Sequence, residues 1–389
     1  MKLKAVRCLV VCISVFFILF GCSSKKEKDN DLIHFNVSIS YPEKEIKLED
    51  VADIEYLQLG VFEEFLFSES PTTITSDKII FNSFSTGDII IYSRAGKPLS
   101  KFNRRGNGPE EYINTTGSPI YDETSDEFFI PLHQKIMVYS SSGEFKRSFP
   151  LPDGSFLFRF NNYDSKSFLI YDSQDILPAT FTLISKEDGS VLETIKMSIG
   201  ETLNLTVPIS ISEGFNLSLH PEIGNVVNYK DGFLLAIPSN DTMYYFSPQK
   251  ELLPILVRNP NIHSMNPAIT VSCFVEAGNY AFMFTDKVVE VKMENGRVPS
   301  LPRTYLMRDK TTGSVYKQKI ALNDYKGKEV NISHRTIMNT QDSKLGLIVL
   351  GLTELQDANL ENKLSGRLKE LVDNSDDDGN DIYMLLHFK

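Results

Sequence analysis

The stretch that decides the fold reads DKIIFNSFSTGDIIIYSRAGKPLSKF from Asp77 to Phe102, and a second copy reads DEFFIPLHQKIMVYSSSGEFKRSF from Asp126 to Phe149. The two copies begin 49 residues apart. Each consists of short runs rich in Ile, Val, Phe and Tyr, bounded by polar turns with glycine, which is the chemistry of strands and tight turns. Because a small sheet with two apolar faces must stack on its neighbours, a repeat of about 40 to 50 residues predicts the blades of a β-propeller.

Weaker copies of this unit follow along the chain, in Lys166–Met197, Asp231–Phe246 and Gly278–Val291. A β-sandwich or a large β-barrel would also contain many short strands, but neither repeats one strand-and-turn unit in register. Helix-period stretches are nearly absent. The sequence therefore predicts an all-β propeller, a repeat architecture that a chain of this length can fill.

One segment breaks the β pattern. Thr353–Val372 places leucines at near-helical spacing with charged residues between them, interrupted at Ser365-Gly366. This pattern predicts one short amphipathic helix seated on the propeller before the last strand, with a partner-binding helix as the alternative. We also expect the ends of the chain to share a blade, formed by Ile46–Leu59 and Ile382–Phe388, because a closed ring leaves no open seam.

The N-terminus has the pattern of a bacterial export signal. A basic start with Lys2, Lys4 and Arg7 precedes Cys8–Phe20, an apolar stretch too short to span a bilayer comfortably. The residues Leu19 to Cys22 then resemble the bacterial lipobox. An ordinary secretory signal with a chance cysteine, or an uncleaved membrane helix, remains the alternative.

The lipobox resemblance implies cleavage before Cys22 and acylation of that cysteine, and several acyl chains together anchor a protein stably to a membrane. It divides the chain into a signal peptide (1–21), a polar tether (22–34) and a propeller domain (35–389). Ser23 follows the cysteine, and in the Gram-negative lipoproteins that this pattern resembles, serine there favours the outer membrane. We therefore expect an outer-membrane lipoprotein that faces the periplasm or the cell surface.

Charge and cysteine content exclude several classes of function. The chain has 40 basic and 51 acidic residues, and cleavage of the signal peptide would remove three of the basic ones. Nucleic acid is an unsuitable partner, because an acidic domain without a basic stripe repels phosphate chains. After processing, Cys22 and Cys273 remain, so we expect a monomeric domain held by its core and not by disulfides. Cys273 reads as a core thiol, with a nucleophile as the alternative.

Four further stretches carry a family resemblance. They are Leu48–Leu59, Gly87–Tyr92, Phe102–Tyr112 and Asp381–Lys389. Together they resemble the six-bladed β-propeller lipoproteins of the Bacteroidetes, which look like NHL-repeat propellers, and Phe102–Tyr112 is similar to the "fxxxGxGPGEY" stretch of that family. The resemblance implies six four-stranded blades. Glu110 is a departure, since the family often has glycine there.

The loop Gly106–Tyr112 and the two residues before it form the candidate ligand site. Its glycines allow positive φ angles, and its proline favours a fixed turn. The guanidinium groups could then bind a carboxylate or sugar, beside an acceptor and a stacking ring. The alternative is a rigid corner between blades, with an Arg104–Glu110 ion pair and Tyr112 capping the core. The candidate ligand residues are Arg104, Arg105, Asn107, Glu110 and Tyr112.

Metal and cofactor motifs are missing from the sequence. The six histidines are scattered, and no HExxH, GxSxG, Walker or CxxC motif occurs. Asn374-x-Asp376-x-Asp378-Gly379 matches the first half of a calcium loop, but Leu385 stands where a bidentate glutamate belongs. A solvated acidic turn is the alternative. We therefore expect neither a metal nor a cofactor.

Two classes of function fit these observations. The first is a binding or scaffold lipoprotein whose propeller loops hold a glycan, a peptide or an envelope protein. The second is a hydrolase or lyase with a site in the central channel, since propellers carry both kinds of function. Clustered carboxylates or histidines at the mouth of the channel would favour the enzyme. The missing nucleophile motifs and histidine clusters favour the binding protein.

Overall fold

The computed structural model describes residues 32–389 except 61–70, 84, 114–116, 133, 153–159, 172–179, 197–202, 213–214, 223–225, 293–298, 338–339 and 377–378. The expected signal peptide, Cys22 and most of the expected tether lie outside the described residues. The first strand begins at Ile33, just ahead of the domain boundary expected at residue 35.

Consecutive antiparallel strands build each blade. Three strands come first: β1 (Ile33–Asn36), β2 (Glu43–Lys47) and β3 (Ala52–Gln58). The first three blades are β4 (Thr73–Ile74), β5 (Lys78–Asn82), β6 (Asp88–Ser93) and β7 (Pro98–Asn103); β8 (Ile120–Asp122), β9 (Glu127–Pro131), β10 (Lys135–Ser140) and β11 (Phe145–Pro150); and β12 (Phe160–Asn162), β13 (Ser167–Tyr171), β14 (Thr180–Ser185) and β15 (Val191–Lys196). A hairpin of β16 (Val207–Ser212) and β17 (Phe215–Leu219) follows.

The remaining elements form two further blades and a smaller sheet. The fourth blade has β18 (Val226–Tyr229), β19 (Gly232–Leu235), β20 (Thr242–Phe246) and β21 (Leu252–Asn259), and the fifth has β22 (Ile269–Ala277), β23 (Tyr280–Lys287), β24 (Arg303–Asp309) and β25 (Val315–Ala321), with β26 (Glu329–Val330) beside β25. Helix α1 (His334–Ile337), β27 (Leu345–Leu350), α2 (Leu352–Leu360), α3 (Gly366–Asp373) and β28 (Ile382–Phe388) complete the chain, and 3-10 turns span Leu48–Asp50 and Ile262–Ser264.

The N-terminal strands attach to three different sheets. β1 pairs in parallel with β21, β2 pairs in parallel with β25, and β3 pairs antiparallel with β28. The expected sharing of one sheet by both chain ends is confirmed for β3 and β28, where Ala52 lies opposite Phe388. The same expectation was wrong for Ile46 and Lys47, which belong to β2 and extend the fifth blade.

The implied count of six four-stranded blades was wrong. Within the described residues, five sheets have four or more strands, and β27, β28 and β3 form a sheet of three. The chain before β27 forms helix α1, which packs against β27. Ser333 and Thr336 bond to each other reciprocally, through the Ser333 amide to Thr336 Oγ1 and the Thr336 amide to the Ser333 carbonyl. This local bonding starts a helix, so residues 334–337 are helical and not extended.

The core lies between neighbouring sheets. One buried apolar cluster joins each pair of sheets from the three-stranded sheet through the fourth blade, and a larger cluster joins the fourth blade, the fifth blade and the three-stranded sheet. The first strands of neighbouring blades contact each other, as β8 does with β12 and β18 with β22. The sheets therefore form a closed ring with the first strand of each blade innermost, which confirms the predicted propeller.

The turn glycines of the repeat have a common geometric role. Gly96, Gly143 and Gly189 follow the third strand of their blades and have φ angles of 76°, 80° and 74°. Each also lies against the outermost strand of the preceding sheet; a Cβ on Gly143 would come within 2.5 Å of the Phe102 ring. Glycine is needed there for both its left-handed backbone and its missing side chain.

We expect Gly143→Ala to lower the free energy of unfolding by about 2–4 kcal/mol, from the left-handed backbone and from overpacking against Phe102. Gly327→Ala is the matched control, because Gly327 has a φ of 81° and no atom within 4 Å of a Cβ. The control should lose about 1 kcal/mol by urea denaturation. Equal losses in the two variants would show that the close approach to Phe102 does not matter.

The predicted helix is two helices. Asn362 has a φ of 56° and Gly366 a φ of 55°, so the backbone leaves the helical conformation between α2 and α3. Leu355 and Leu368 are buried in the core, while Leu360 is 82% exposed. The helices are therefore seated on the propeller, as predicted. No helix in the described part of the chain is long and apolar enough to cross a membrane.

Candidate functional site

Tyr112 of the predicted ligand loop lies in the core. Its ring is 1% exposed, packs edge-on against Tyr139 and belongs to the apolar cluster between the first two blades. Its hydroxyl donates to the Gly87 carbonyl at 2.9 Å, and burial raises its pKa. The ring therefore caps the inter-blade core, as the corner alternative predicts, and offers no stacking face to a ligand.

The two arginines of the loop bond to backbone carbonyls. Arg104 Nε donates to Gly143 at 2.5 Å, and Arg105 Nε donates to Ile113 at 3.0 Å. The Arg104–Glu110 ion pair of the corner alternative is not formed among the described residues; the Glu110 carbonyl accepts from the Tyr139 hydroxyl, and Asn107 is exposed. These contacts are those of a corner that links two blades. A ligand role for the loop stays a prediction.

The loop glycines are needed for a reason other than the one expected. Neither Gly106 nor Gly108 has a positive φ. Instead, the Glu111 carboxylate folds back over them and accepts the Gly108 amide at 2.8 Å, and a Cβ on Gly106 would overlap that carboxylate. The turn is therefore fixed by a side chain that caps its backbone.

A cavity of about 200 Å³ opens elsewhere, where the fourth blade, the fifth blade and the three-stranded sheet meet. It lies at the ends of β18, β22 and β28, beside the turn between β18 and β19. We call it the lysine pocket. Its apolar wall consists of Phe274, Val275, Ile337 and Phe388, all buried, with the ring of Tyr229.

Four lysines and one glutamate carry the charge of the lysine pocket: Lys230, Lys310, Lys344, Lys389 and Glu276. Lys389 Nζ pairs with Asp53 at 3.0 Å, and Lys310 Nζ lies 3.9 Å from Glu276 Oε2. Lys230 Nζ lies over the Tyr229 ring at 5.0 Å. Neither Lys230 nor Lys344 forms an ion pair with any carboxylate of the described residues, so the pocket carries an excess of positive charge.

Hydrogen bonds hold the polar groups of the lysine pocket in place. The Tyr229 hydroxyl donates to Glu276 Oε1 at 2.8 Å, and burial together with that carboxylate raises the pKa of Tyr229. Ser343 Oγ donates to the Lys230 carbonyl at 2.8 Å, and Asn228 Nδ2 donates to the Thr340 carbonyl at 2.6 Å. The pocket is therefore preformed by groups from three sheets.

A second charged group lies where the entry to the fourth blade meets the fifth blade and α1. Asp286 accepts both Nε and Nη2 of Arg303, at 2.8 Å and 2.9 Å. Glu222 accepts from Arg303 and Arg335, and its Oε1 lies 3.5 Å from His334 Nε2. Burial would raise the pKa of Glu222, but its contacts with His334 and the two arginines outweigh burial and hold that pKa well below its ordinary range.

The inner members of this ion network are buried, whereas the Arg335 side chain is 71% exposed. Asp286 is 1% exposed and His334 is fully buried, with neither ring nitrogen hydrogen-bonded. Two carboxylates balance two guanidinium groups, so no charge is left for a ligand. The network therefore links three parts of the ring and does not present a catalytic group.

In the described residues, no group of three or more His, Cys, Asp and Glu side chains is arranged to hold a metal ion. Asp378 of the calcium-like segment lies outside the described residues. Nothing is therefore assigned to that turn.

The family of the chain follows from its sequence. The family described as a domain of unknown function, DUF4934, matches residues 32–387. The chain belongs to the DUF4934 family. The matched residues of this DUF4934 protein span every strand of the ring, and no curated protein matches the chain.

Solved structures resemble the DUF4934 ring. A candidate exported protein from Bacteroides fragilis superposes with a TM-score of 0.59 at 12% identity, over 92% of this chain and 99% of that one. A duf4221 family member from Bacteroides vulgatus gives a TM-score of 0.46 at 13% identity, over 87% of this chain and 97% of that one. Virginiamycin B lyase from Staphylococcus aureus gives a TM-score of 0.37 at 11% identity, over 70% of this chain and 75% of that one. The first match supports the fold alone, and the two lower scores add nothing to it.

The lysine pocket of the DUF4934 protein was missed by reasoning from the sequence. Its lysines are separated by 34 residues or more in the chain, and none stands in a motif. The single usable signal was the predicted pairing of both chain ends, which brings Lys389 back to the ring. A motif search cannot find a site that is made of single residues from distant turns.

Proposed function

We propose that this DUF4934 protein is a binding module of the cell envelope that holds negatively charged ligands in the lysine pocket. The observation that carries the proposal is the unpaired charge of Lys230 and Lys344 beside an apolar wall, in a chain whose net charge is −11. Both lysines are exposed at the mouth of the cavity, and ammonium groups that have no carboxylate partner attract an anion that enters it. A glycan, a peptide or an envelope protein with an acidic group would supply that anion.

The enzyme alternative has less support. A hydrolase or lyase needs a general acid, base or nucleophile that contacts its substrate. Asp286 and His334 are buried, and the partly exposed Glu222 is already paired with Arg303 and Arg335. Binding is therefore the function that the described geometry favours.

Anchoring at the outer membrane is the second part of the proposal. It is supported by the lipobox-like sequence ending at Cys22, by Ser23 after it, and by the polar residues up to Asp31. The likeness to a candidate exported protein of Bacteroides fragilis agrees with export. The membrane is then a partner through the lipid, and residues 22–32 separate the lipid from β1.

We expect Cys22→Ala to abolish lipid labelling and to leave precursor that still bears its signal peptide, because acylation precedes cleavage in the lipoproteins that this signal resembles. Labelling with a radioactive fatty acid and the electrophoretic mobility of the chain measure both effects. Cys273→Ala is the control and should be processed normally. Normal processing and membrane partition of Cys22→Ala would disprove lipid anchoring at this residue.

Ligand binding is tested with the soluble chain from Ser23 to Lys389. We expect an acidic polysaccharide, polygalacturonate, to bind at low salt and a neutral one, dextran, not to bind. The variant with both Lys230→Met and Lys344→Met should bind at least about 10-fold more weakly, since it keeps the stems but loses both charges. Lys166→Met, in the corresponding turn of the third blade, is the control. Equal binding of both polysaccharides, or no effect of the double variant, would contradict the proposal.

A further inference from the structure

The donors and acceptors of the lysine pocket specify more than charge. Lys230 and Lys344 line the cavity and supply two ammonium groups that form no ion pair with a carboxylate of the described residues. Three residues that line the cavity carry hydrogen-bond acceptors: Glu276, whose Oε2 lies 3.9 Å from Lys310 Nζ, Asn228, whose side-chain nitrogen already donates to the Thr340 carbonyl, and Ser343, whose hydroxyl already donates to the Lys230 carbonyl. A ligand that satisfies these acceptors must bring hydrogen-bond donors of its own.

The carboxylate of Glu276 decides between kinds of anion. It is held in place by the Tyr229 hydroxyl at 2.8 Å and contributes a negative charge within the pocket. A compact, highly charged anion such as phosphate would be repelled by this carboxylate, whereas hydroxyl groups would donate to it. The site therefore favours a single carboxylate attached to a hydroxylated body.

The wall and the size of the cavity set the shape of that body. Phe274 and Phe388 present buried aromatic carbon, which suits the C–H face of a ring. A volume of about 200 Å³ is below the range of drug-sized ligand pockets, so it holds one ring and not an extended oligomer.

We propose that the lysine pocket binds a single uronic-acid unit, a pyranose bearing a carboxylate, presented at the end of a glycan. Lys230 and Lys344 take the carboxylate, Glu276, Asn228 and Ser343 accept the ring hydroxyls, and the aromatic wall covers the ring face. This assignment rests on the proposed function and names its substrate class.

Four small probes test the assignment by NMR titration of the soluble chain: glucuronate, glucose, cyclohexanecarboxylate and inorganic phosphate. Glucuronate is expected to bind with a Kd of about 1 mM, as suits one small ring. Glucose lacks the charge and cyclohexanecarboxylate lacks the hydroxyls, so each should bind at least about 10-fold more weakly, as should phosphate. Glu276→Gln should weaken glucuronate and strengthen phosphate, a reversal that a misfolded variant cannot produce.

The outcomes separate the two proposals. If phosphate or cyclohexanecarboxylate binds as tightly as glucuronate, the uronic-acid assignment is wrong while the binding of an anion in the pocket still holds. If glucose binds as tightly as glucuronate, charge does not decide binding and both proposals fail. If glucuronate binds equally to the wild type and to the variant with both Lys230→Met and Lys344→Met, its site lies elsewhere and the assignment fails. If neither the probes nor polygalacturonate binds, the proposed function fails with it.

Discussion

Deletion of residues 382–389 is expected to abolish the folded monomer. β28 is the middle strand of the three-stranded sheet, so its loss leaves β3 and β27 without a common partner. Six of its seven side chains are apolar and buried, and each contributes about 1.5–3 kcal/mol. Their sum matches or exceeds the total stability of a typical domain, which is about 5–15 kcal/mol. We expect aggregation during purification and no cooperative melting.

The matched control for the deletion is His387→Ala. His387 is the exposed residue of β28, and its ring pairs with Glu55 at 2.8 Å. An exposed pair of this kind contributes about 0–1 kcal/mol, so the variant should remain monomeric with a nearly unchanged melting temperature. A truncated chain with the same behaviour would show that β28 is not needed to close the ring.

Arg303→Met is expected to cost about 3–5 kcal/mol of unfolding free energy, because it leaves the buried Asp286 carboxylate without its bidentate partner. Methionine keeps apolar contact with Phe284, over whose ring the guanidinium lies at 4.0 Å. The loss is therefore chiefly electrostatic. Urea denaturation at neutral pH measures it, provided that the slope of the transition is unchanged.

Arg303 also donates to Glu222, so acid should reduce the part of the stability difference that comes from this second pair. The folded-state pKa of Glu222 lies well below its unfolded value of about 4.3, so its contribution is complete above that value and is lost as the pH falls through the folded pKa. The stability difference should therefore be constant from about pH 7 to pH 5 and should shrink below about pH 4.

The control for Arg303 is Arg367→Met. Arg367 pairs with Glu370 at 3.0 Å on the surface of α3, and both side chains are exposed. This change should alter stability by about 0.5 kcal/mol or less at every pH. If Arg303→Met behaves like Arg367→Met, the network does not stabilise the ring.

The strands of the repeat could be predicted because their signals are local. The runs ending at Phe81 and Ile130 and the turns with Gly96 and Gly143 encode strand, register and reversal within a few residues. The blade count could not be predicted, because it depends on whether the chain before β27 continues as a strand. There the bonds between Ser333 and Thr336 start a helix.

The candidate site was predictable only in part for a similar reason. Tyr112 was expected to cap an inter-blade core as one alternative, and its burial confirms that role. Gly106 and Gly108 were predicted to be needed for positive φ angles. The structure needs glycine there because the Glu111 carboxylate lies over the backbone of both residues. The lysine pocket depends on three sheets meeting, and no short stretch of sequence contains that information.

The attachment of the first three strands has a consequence for biosynthesis. β1, β2 and β3 emerge first from the ribosome, yet their partners β21, β25 and β28 end at Asn259, Ala321 and Phe388. β1 therefore stays unpaired until Asn259 has been translated and β3 until Phe388 has been, since such long-range contacts form late. The ring therefore stays open until its last strand has been made.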